Sequence, residues 1–162
     1  MGYILAVADT GCALKGLGCG MQKNCHLDFT GDEGQWQEVL LCEHPSGHVG
    51  TEARQKGLDL IVSKIAAMNP DNLPMVLTGD FNVQPDNPAL TELNTKMSDA
   101  RRTAAKTDWR ATYNGWGRFA SVIDYIYYNG FTSCLEYETI VRQYKDIPYV
   151  SDHYPIVARL VF

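Results

Sequence analysis

The chain has 162 residues, which suffice for one domain with a hydrophobic core and leave little room for a second. Apolar residues make up 45% and charged residues 20% of the sequence, values that exclude a disordered chain. The net charge of −5 predicts no general attraction to nucleic acid or anionic membranes, and the odd number of cysteines, five, argues against a complete disulfide framework. No apolar run approaches the ~20 residues of a membrane helix, and residues 1–8 lack the length and the basic start of a signal peptide. We therefore expect no integral membrane segment, and the sequence assigns no cellular location.

Residues 1–47 differ in composition from the rest of the chain. They hold four of the five cysteines and eight of the fourteen glycines, and they carry six acidic against two basic residues. Neither a helical nor a strand period of apolar residues persists in them, and the glycines within 16–20 would interrupt either element. We therefore divide the chain into an atypical segment, 1–47, expected to be poorly structured, and a regular domain, 48–162.

From residue 48 onward the pattern becomes regular. Residues 51–68 predict a helix, because apolar residues recur every three or four positions and Asn69-Pro70 then ends it. The apolar run 74–78 predicts a buried strand, and a short helix is predicted over 88–97. Further strands are predicted at 122–128, 135–140 and 154–162. This order of elements is typical of a layered α/β domain with a mixed sheet.

Polar side chains stand at the ends of three predicted strands. Asp80 and Asn82 are two residues apart in an extended chain, so both could reach one phosphate or one water, although a turn that bonds only the backbone is the alternative. Asp124 lies among apolar residues, where a carboxylate is costly unless it is paired with a cation or a histidine; capping of a loop is the alternative. Asp152 and His153 face opposite sides, so one could hold a metal while the other meets a phosphate, although a solvated loop histidine is more common.

Together these motifs resemble the endonuclease/exonuclease/phosphatase superfamily, the DNase I-like metal-dependent phosphoesterases. The likeness covers residues 48–162, and it is specific because the motifs occur in the family's order. The matching segments are Gly79-Asp80-Phe81-Asn82, Thr112-Tyr113-Asn114-Gly115-Trp116, Ile123-Asp124-Tyr125-Ile126 and Ser151-Asp152-His153. The resemblance implies a DNase I-like four-layer α/β sandwich, here incomplete, whose C-terminal half supplies one mixed or antiparallel sheet with flanking helices.

The resemblance also implies a role for each matching residue. Asp80 would orient or deprotonate the attacking water, and Asn82 would hold that water or the scissile phosphate. Asp152 would help to bind a divalent cation, Mg²⁺ or Mn²⁺, while His153, paired with Asp124, would contact the phosphate and stabilise transition-state charge. The residues expected at the substrate are Tyr113, Asn114 and Trp116. No covalent intermediate is implied, and the phosphate ester could belong to a small molecule, a lipid headgroup or a nucleic acid.

Residues 1–47 depart from the family pattern. Relatives carry an upstream metal-binding glutamate and, just before a helix like 51–68, an Asn-Thr-His-Leu-Asp motif with a second catalytic histidine; here residues 43–47 read Glu-His-Pro-Ser-Gly. With suitable codons, residues 35–47 read one base later give N-G-K-K-F-F-F-V-N-T-H-L-D, which joins His48-Val49-Gly50 in a family-like run. We therefore hypothesise that residues 1–47 are an out-of-frame translation caused by a one-base deletion near codon 47. Hydrolysis by the chain as written would then be weak or absent.

Other interpretations stay open. The chain could be a catalytically inactive fragment or an interaction module that retains the family signature. The cysteines of residues 1–47, with His26 or His44, could bind zinc, although none of them has C-x-x-C spacing. Residues 24–28 also resemble the missing histidine motif but lie too early in the chain. Finally, a sheet without its usual partner would expose an apolar face, so self-association is expected.

Overall fold

The fold is that of a computed structural model, which describes residues 3–8, 25–30, 40–45 and 51–162. Its strands are β1 (Tyr3–Ala8), β2 (Cys25–Thr30), β3 (Leu40–Pro45), β4 (Met75–Asp80), β5 (Ser98–Asp99), β6 (Lys106–Thr107), β7 (Asp124–Asn129), β8 (Ser133–Thr139) and β9 (Ile156–Val161). Its helices are α1 (Thr51–Met68), α2 (Thr91–Lys96), which follows a 3₁₀ turn over Pro88–Leu90, and α3 (Ala100–Thr103).

The elements predicted after residue 48 are confirmed. Helix α1 has the predicted bounds, and β4, β7, β8 and β9 differ from the predicted strands by one or two residues at each end. The short helix predicted over 88–97 is the 3₁₀ turn together with α2. It begins at Asn87 because the Asn87 Oδ1 atom accepts a hydrogen bond from the Ala89 N–H at 2.9 Å.

Three strands lie within residues 1–47, where the sequence predicts no regular structure. Strand β1 lies between β2 and β9, and β3 lies beside β4. Strand β1 shows no alternating period because it lies between two other strands and reads YILAVA without a polar residue, and β2 and β3 are too short for a period to stand out. The division of the chain at residue 48 and the out-of-frame hypothesis stay predictions. The zinc alternative rests on cysteine side chains, those of Cys12 and Cys19 among them, that lie outside the described part of the chain.

The described strands form two sheets, where the sequence predicts one. One sheet has the order β2-β1-β9-β8-β6, and the other has the order β3-β4-β7-β5. In the second sheet β3 runs parallel to β4, whereas β4 and β7 are antiparallel. Strand β9 pairs with β8 in one sheet while β4 pairs with β7 in the other, and β1 extends the first of these sheets by pairing with β9.

Alternating side chains of β4 and β7 build two cores, one on each face of the smaller sheet. On one face Leu77 and Tyr127 pack with α1 and α2, and on the other Val76 and Ile126 pack against β8 and β9. The described residues therefore form layers of helices, sheet and sheet, which confirms the predicted α/β class and agrees with an incomplete DNase I-like sandwich. In this part of the chain no helix has the length and apolar character needed to cross a membrane.

The turn after β7 requires a glycine, which allows a stability prediction. Gly130 has a φ of +78°, and a Cβ atom there would lie 2.8 Å from the Pro74 Cα atom, whereas a Cβ at Gly57 in α1 meets nothing within 4 Å. We expect Gly130→Ala to lower the free energy of unfolding by about 1–3 kcal/mol. The matched variant Gly57→Ala should raise it by about 0.5–1 kcal/mol. Urea unfolding measures both, and equal effects of the two variants would contradict the turn geometry.

Candidate active site

The candidate site lies where β4 ends and β7 begins in the smaller sheet, beside the segment that leads into β9 of the larger sheet. Asp80 ends β4 and is paired across the sheet with Asp124, the first residue of β7. His153, three residues before β9, forms a bridge with Tyr113 and lies beside the two carboxylates. One ligand atom from each of Asp80, Asp124 and His153 lies within 4.8 Å of the other two. Residues 73 positions apart in the chain are thus gathered into one cluster by the register of β4 with β7 and the entry into β9.

Buried Asp124 is paired with half-buried His153. The His153 Nδ1 atom lies 2.9 Å and 3.1 Å from the two carboxylate oxygens of Asp124, which is only 2% exposed. Burial alone lowers the pKa of His153, but the hydrogen bond to Asp124 and the carboxylates of Asp124, Asp80 and Asp152 outweigh it, so the pKa lies above its ordinary value. The partner expected for Asp124 is therefore a histidine. A proton on Nδ1 leaves the Nε2 atom of His153 to face a ligand.

Asp80 is held by the residue two positions beyond it. The Asn82 N–H donates to Asp80 Oδ1 at 2.8 Å, and the Asn82 Nδ2 group donates to Asp80 Oδ2 at 2.9 Å. Asn82 adopts a left-handed φ of +52°, an uncommon conformation that asparagine tolerates and that turns its side chain back onto Asp80. The two residues form a local turn beside the cluster, and their predicted reach toward a water or a phosphate stays a prediction.

The loop 112–117 lies against the segment that carries His153. Asn114 and Gly115 both donate their N–H groups to the Asp152 carbonyl, at 2.8 Å and 3.1 Å, and the Asn114 Nδ2 group donates to the Ser151 carbonyl at 3.1 Å. The Tyr113 ring centroid is 4.9 Å from that of His153. The two loops therefore form one wall of the cluster.

The predicted substrate residues differ in their surroundings. Asn114 is buried and fully engaged with the backbone, Tyr113 is half-buried against His153, and Trp116 is exposed beyond them. The predicted metal ligand Asp152 is half-buried beside the cluster, but the group of three side chains whose ligand atoms meet within 4.8 Å, as found among the described residues, does not include it. The roles of these residues stay predictions.

Thr112 is a positioning residue that the sequence does not reveal. It is fully buried, and its Oγ1 atom accepts hydrogen bonds from the N–H groups of Ile123 and Asp124, each at 3.1 Å. These bonds fix the entry into β7 and with it the backbone of Asp124. A threonine at the start of an aromatic loop carries no sequence signal for such a contact, because its partners lie eleven and twelve residues away.

Removing this hydroxyl should cost stability. Thr112→Val keeps the shape of the side chain but leaves two buried N–H groups without an acceptor, so we expect the free energy of unfolding to fall by about 1–3 kcal/mol. Thr112→Ser keeps the hydroxyl, so the free energy of unfolding should fall less than in Thr112→Val. Chemical denaturation of the three proteins measures this difference. If the valine variant were as stable as the serine variant, the two hydrogen bonds would not support the loop.

The donor set fits a hard divalent cation. Two carboxylates converge at the cluster, and carboxylate oxygens are the ligands that Mg²⁺ and Mn²⁺ prefer. The Asp124 carboxylate is engaged by His153 and the Asp80 carboxylate by Asn82, and the role of Asp152 as a metal ligand stays a prediction.

Comparison with known proteins identifies the fold. A family model described as the endonuclease/exonuclease/phosphatase family matches residues 7–153. An endonuclease/exonuclease/phosphatase from Bacteroides vulgatus is 32% identical with a TM-score of 0.60, and the match covers 70% of this chain and 45% of that one. A mannosyl-6-phosphatase from Bacteroides thetaiotaomicron is 24% identical with a TM-score of 0.64, covering 85% of this chain and 52% of that one. A conserved protein of unknown function from Enterococcus faecalis is 22% identical with a TM-score of 0.68, covering 82% and 53%.

These matches also set the scope of the comparison. The chain spans about half the length of the solved structures that it resembles. No curated protein matches it significantly in sequence. The family includes phosphatases and nucleases and is generally dependent on a divalent metal. Since the family model covers most of its length, the chain belongs to the endonuclease/exonuclease/phosphatase family.

Proposed function

We propose that this chain carries the site of a divalent-metal-dependent phosphoric ester hydrolase, in which water attacks a phosphodiester or a phosphomonoester. The observation that carries the proposal is the hydrogen-bonded Asp124–His153 pair beside Asp80. The neighbouring carboxylates raise the pKa of His153 and so favour its doubly protonated ring, in which Nδ1–H donates to buried Asp124 and Nε2–H can donate to a phosphate oxygen and stabilise its negative charge.

Each residue of the cluster has a distinct task in this proposal. His153 in its charged form donates Nε2–H to the phosphate, and Asp124 accepts from Nδ1–H and so orients the ring. Asp80 orients or deprotonates the attacking water, while Asn82 holds Asp80 in place and reaches the same water or phosphate. Asp152, with Asp80 nearby, would hold Mg²⁺ or Mn²⁺, which supplies positive charge to neutralise the phosphate when bound.

The wall of the site faces the rest of the substrate. Tyr113 contacts the His153 ring and Trp116 projects into solvent from the same loop, so both are placed to meet the group esterified to the phosphate. Asn114 supports this wall through its bonds to Ser151 and Asp152.

We also propose that residues 35–47 limit the activity of the chain. Strand β3 pairs with β4 so that position 43 is opposite Thr78 and position 45 is opposite Asp80. When the assumed codons are translated from one base later, position 43 becomes an asparagine and position 45 becomes a histidine, which would lie next to the cluster. Thr78 supports this, because its Oγ1 atom is buried without a hydrogen-bond partner among the described residues, and an asparagine could supply one. The alternative is an inactive fragment that keeps only the fold.

Hydrolysis of p-nitrophenyl phosphate and bis(p-nitrophenyl) phosphate tests the proposal. We expect weak release of nitrophenol that needs Mg²⁺, disappears with EDTA and returns when Mg²⁺ is added in excess. The inactive fragment would give no release in either condition. A rate that is unchanged by EDTA would contradict the metal-dependent site, and a rate equal to that of full-length relatives would contradict the proposed limit set by residues 35–47.

A further inference from the structure

Exposed apolar side chains are concentrated on two loops beside the candidate site. Of the nine large apolar side chains that are exposed in the described part of the chain, six lie on the loops 112–121 and 140–153, whereas Leu60, Trp109 and Leu135 lie elsewhere. We call five of these six the apolar rim: Trp116 (58% exposed), Phe119 (65%), Tyr144 (61%), Ile147 (50%) and Val150 (66%). The net charge and composition of the whole chain give no sign of this local concentration.

The two loops that carry the apolar rim form one surface. A Cβ atom on Gly117 would lie 2.7 Å from the Tyr149 ring, so the first loop passes directly over the second. The bonds from Asn114 to Ser151 and Asp152 continue this contact down to the site. The apolar rim is therefore adjacent to the residues that lead into His153.

The backbone of the first loop, residues 112–121, has a defined conformation that sets the positions of its aromatic side chains. Gly115, Trp116 and Gly117 all have positive φ values, of 51°, 58° and 78°. The Trp116 N–H donates to Asn114 Oδ1 at 2.9 Å, and a Cβ on Gly115 would overlap the Phe119 ring. A left-handed tryptophan is costly, so packing of the loop must hold Trp116 in its exposed position.

Basic side chains accompany the apolar rim. Arg118, Arg142 and Lys145 are exposed in the same two loops, against one exposed acidic residue, Asp146. The Lys145 Nζ atom lies 5.4 Å from the centre of the Tyr144 ring. This local excess of positive charge contrasts with the net charge of −5 on the whole chain.

We propose that the apolar rim docks on the surface of an anionic lipid bilayer. Aromatic and aliphatic tips combined with basic side chains fit the interface between headgroups and acyl chains. A sugar or a base would use aromatic faces alone and would give no reason for exposed Ile147 and Val150. The exposed Arg118, Arg142 and Lys145 beside the apolar rim match the charge of an anionic headgroup layer, and a protein partner is an outcome that the experiment below distinguishes.

Docking in this way would present a lipid phosphate to His153. This part of the inference rests on the proposed function, and it selects a lipid headgroup among the possible phosphate esters. The docking itself requires no hydrolysis and no metal, so it can be tested when catalysis is absent.

Co-sedimentation with vesicles tests the docking. The full chain is mixed with vesicles of phosphatidylcholine alone or with added phosphatidylserine, and we expect binding that is stronger on the anionic vesicles. Tyr144→Ser/Ile147→Ser should lower the partition coefficient by about tenfold or more. The matched control Leu60→Ser/Leu135→Ser removes two exposed apolar side chains elsewhere and should leave it within about twofold. Arg142→Gln/Lys145→Gln should lower the partition coefficient about fivefold for each charge removed, and only on the anionic vesicles.

Three results would overturn the proposal. The first is no binding of the unchanged chain to either kind of vesicle. The second is an equal loss of binding in the rim variant and in the control variant, with matching circular dichroism spectra to show that both are folded. The third combines two observations: the unchanged chain does not bind vesicles, and light scattering shows that the rim variant has a different oligomeric state. That result would make the apolar rim a contact between proteins.

Discussion

Replacing residues 35–47 with N-G-K-K-F-F-F-V-N-T-H-L-D is expected to raise Mg²⁺-dependent hydrolysis by about 100-fold or more. The replacement puts a histidine at position 45, which the β3–β4 register places opposite Asp80. It also puts an asparagine at position 43, opposite the Thr78 hydroxyl, which has no hydrogen-bond partner in the described part of the chain. A second imidazole beside the cluster supplies an additional donor or proton carrier to the phosphate. Steady-state rates with bis(p-nitrophenyl) phosphate measure the change.

The matched control for this experiment is the same segment with alanine in place of its histidine. It preserves the strand and should regain less than about a tenth of the rate. A full gain in this control would assign the effect to strand stability. Sequencing the gene across codons 30–55 gives an independent check, because the hypothesis requires one additional base near codon 47; an unchanged sequence would make the chain a natural product with limited activity.

In the chain with the replaced segment, Asp124→Asn is expected to lower kcat by about 10³-fold. The amide cannot hold His153 with a proton on Nδ1 in the way that the carboxylate does, so the ring loses both its fixed tautomer and the stabilisation of its charged form. His153→Ala should cost a similar factor, and the double variant should cost little more than either alone, since the two residues act as a unit. Asp71→Asn, an exposed carboxylate between α1 and β4, is the control and should leave kcat unchanged.

The double variant makes this prediction specific to the pair. If the losses from Asp124→Asn and His153→Ala multiplied, the two residues would act independently, and the hydrogen bond of 2.9 Å would have no part in hydrolysis. Unfolding curves separate this outcome from a loss of structure, because Asp124 is buried and its replacement also affects stability.

The sequence predicts the elements whose apolar pattern is local. Helix α1 ends at Asn69-Pro70, and β7 and β9 are apolar runs that begin at or just after polar motifs, so their positions follow from short-range rules. Strands β1 and β3 are recognised only through their partners, β9 and β4, which lie far along the chain. For the same reason the sequence does not predict that the strands divide into two sheets.

The site shows the same division between local and distant information. An isolated carboxylate among apolar residues predicts that Asp124 needs a partner, and the structure supplies His153. The sequence cannot show that Thr112 holds the backbone of Asp124, since this contact depends on how a loop folds over β7. It cannot show the apolar rim either, because exposure of Ile147 and Val150 depends on where the loop lies.

The most direct test of the metal-dependent site is the metal dependence of hydrolysis by the chain with the replaced segment, compared with its Asp80→Asn variant. We expect phosphate release that stops when EDTA removes the metal, recovers with added Mg²⁺, and falls by about 100-fold when the Asp80 carboxylate becomes an amide. Release that is indifferent to both EDTA and Asp80→Asn, or no release at all, would contradict a metal-dependent phosphoester site at Asp80, Asp124 and His153.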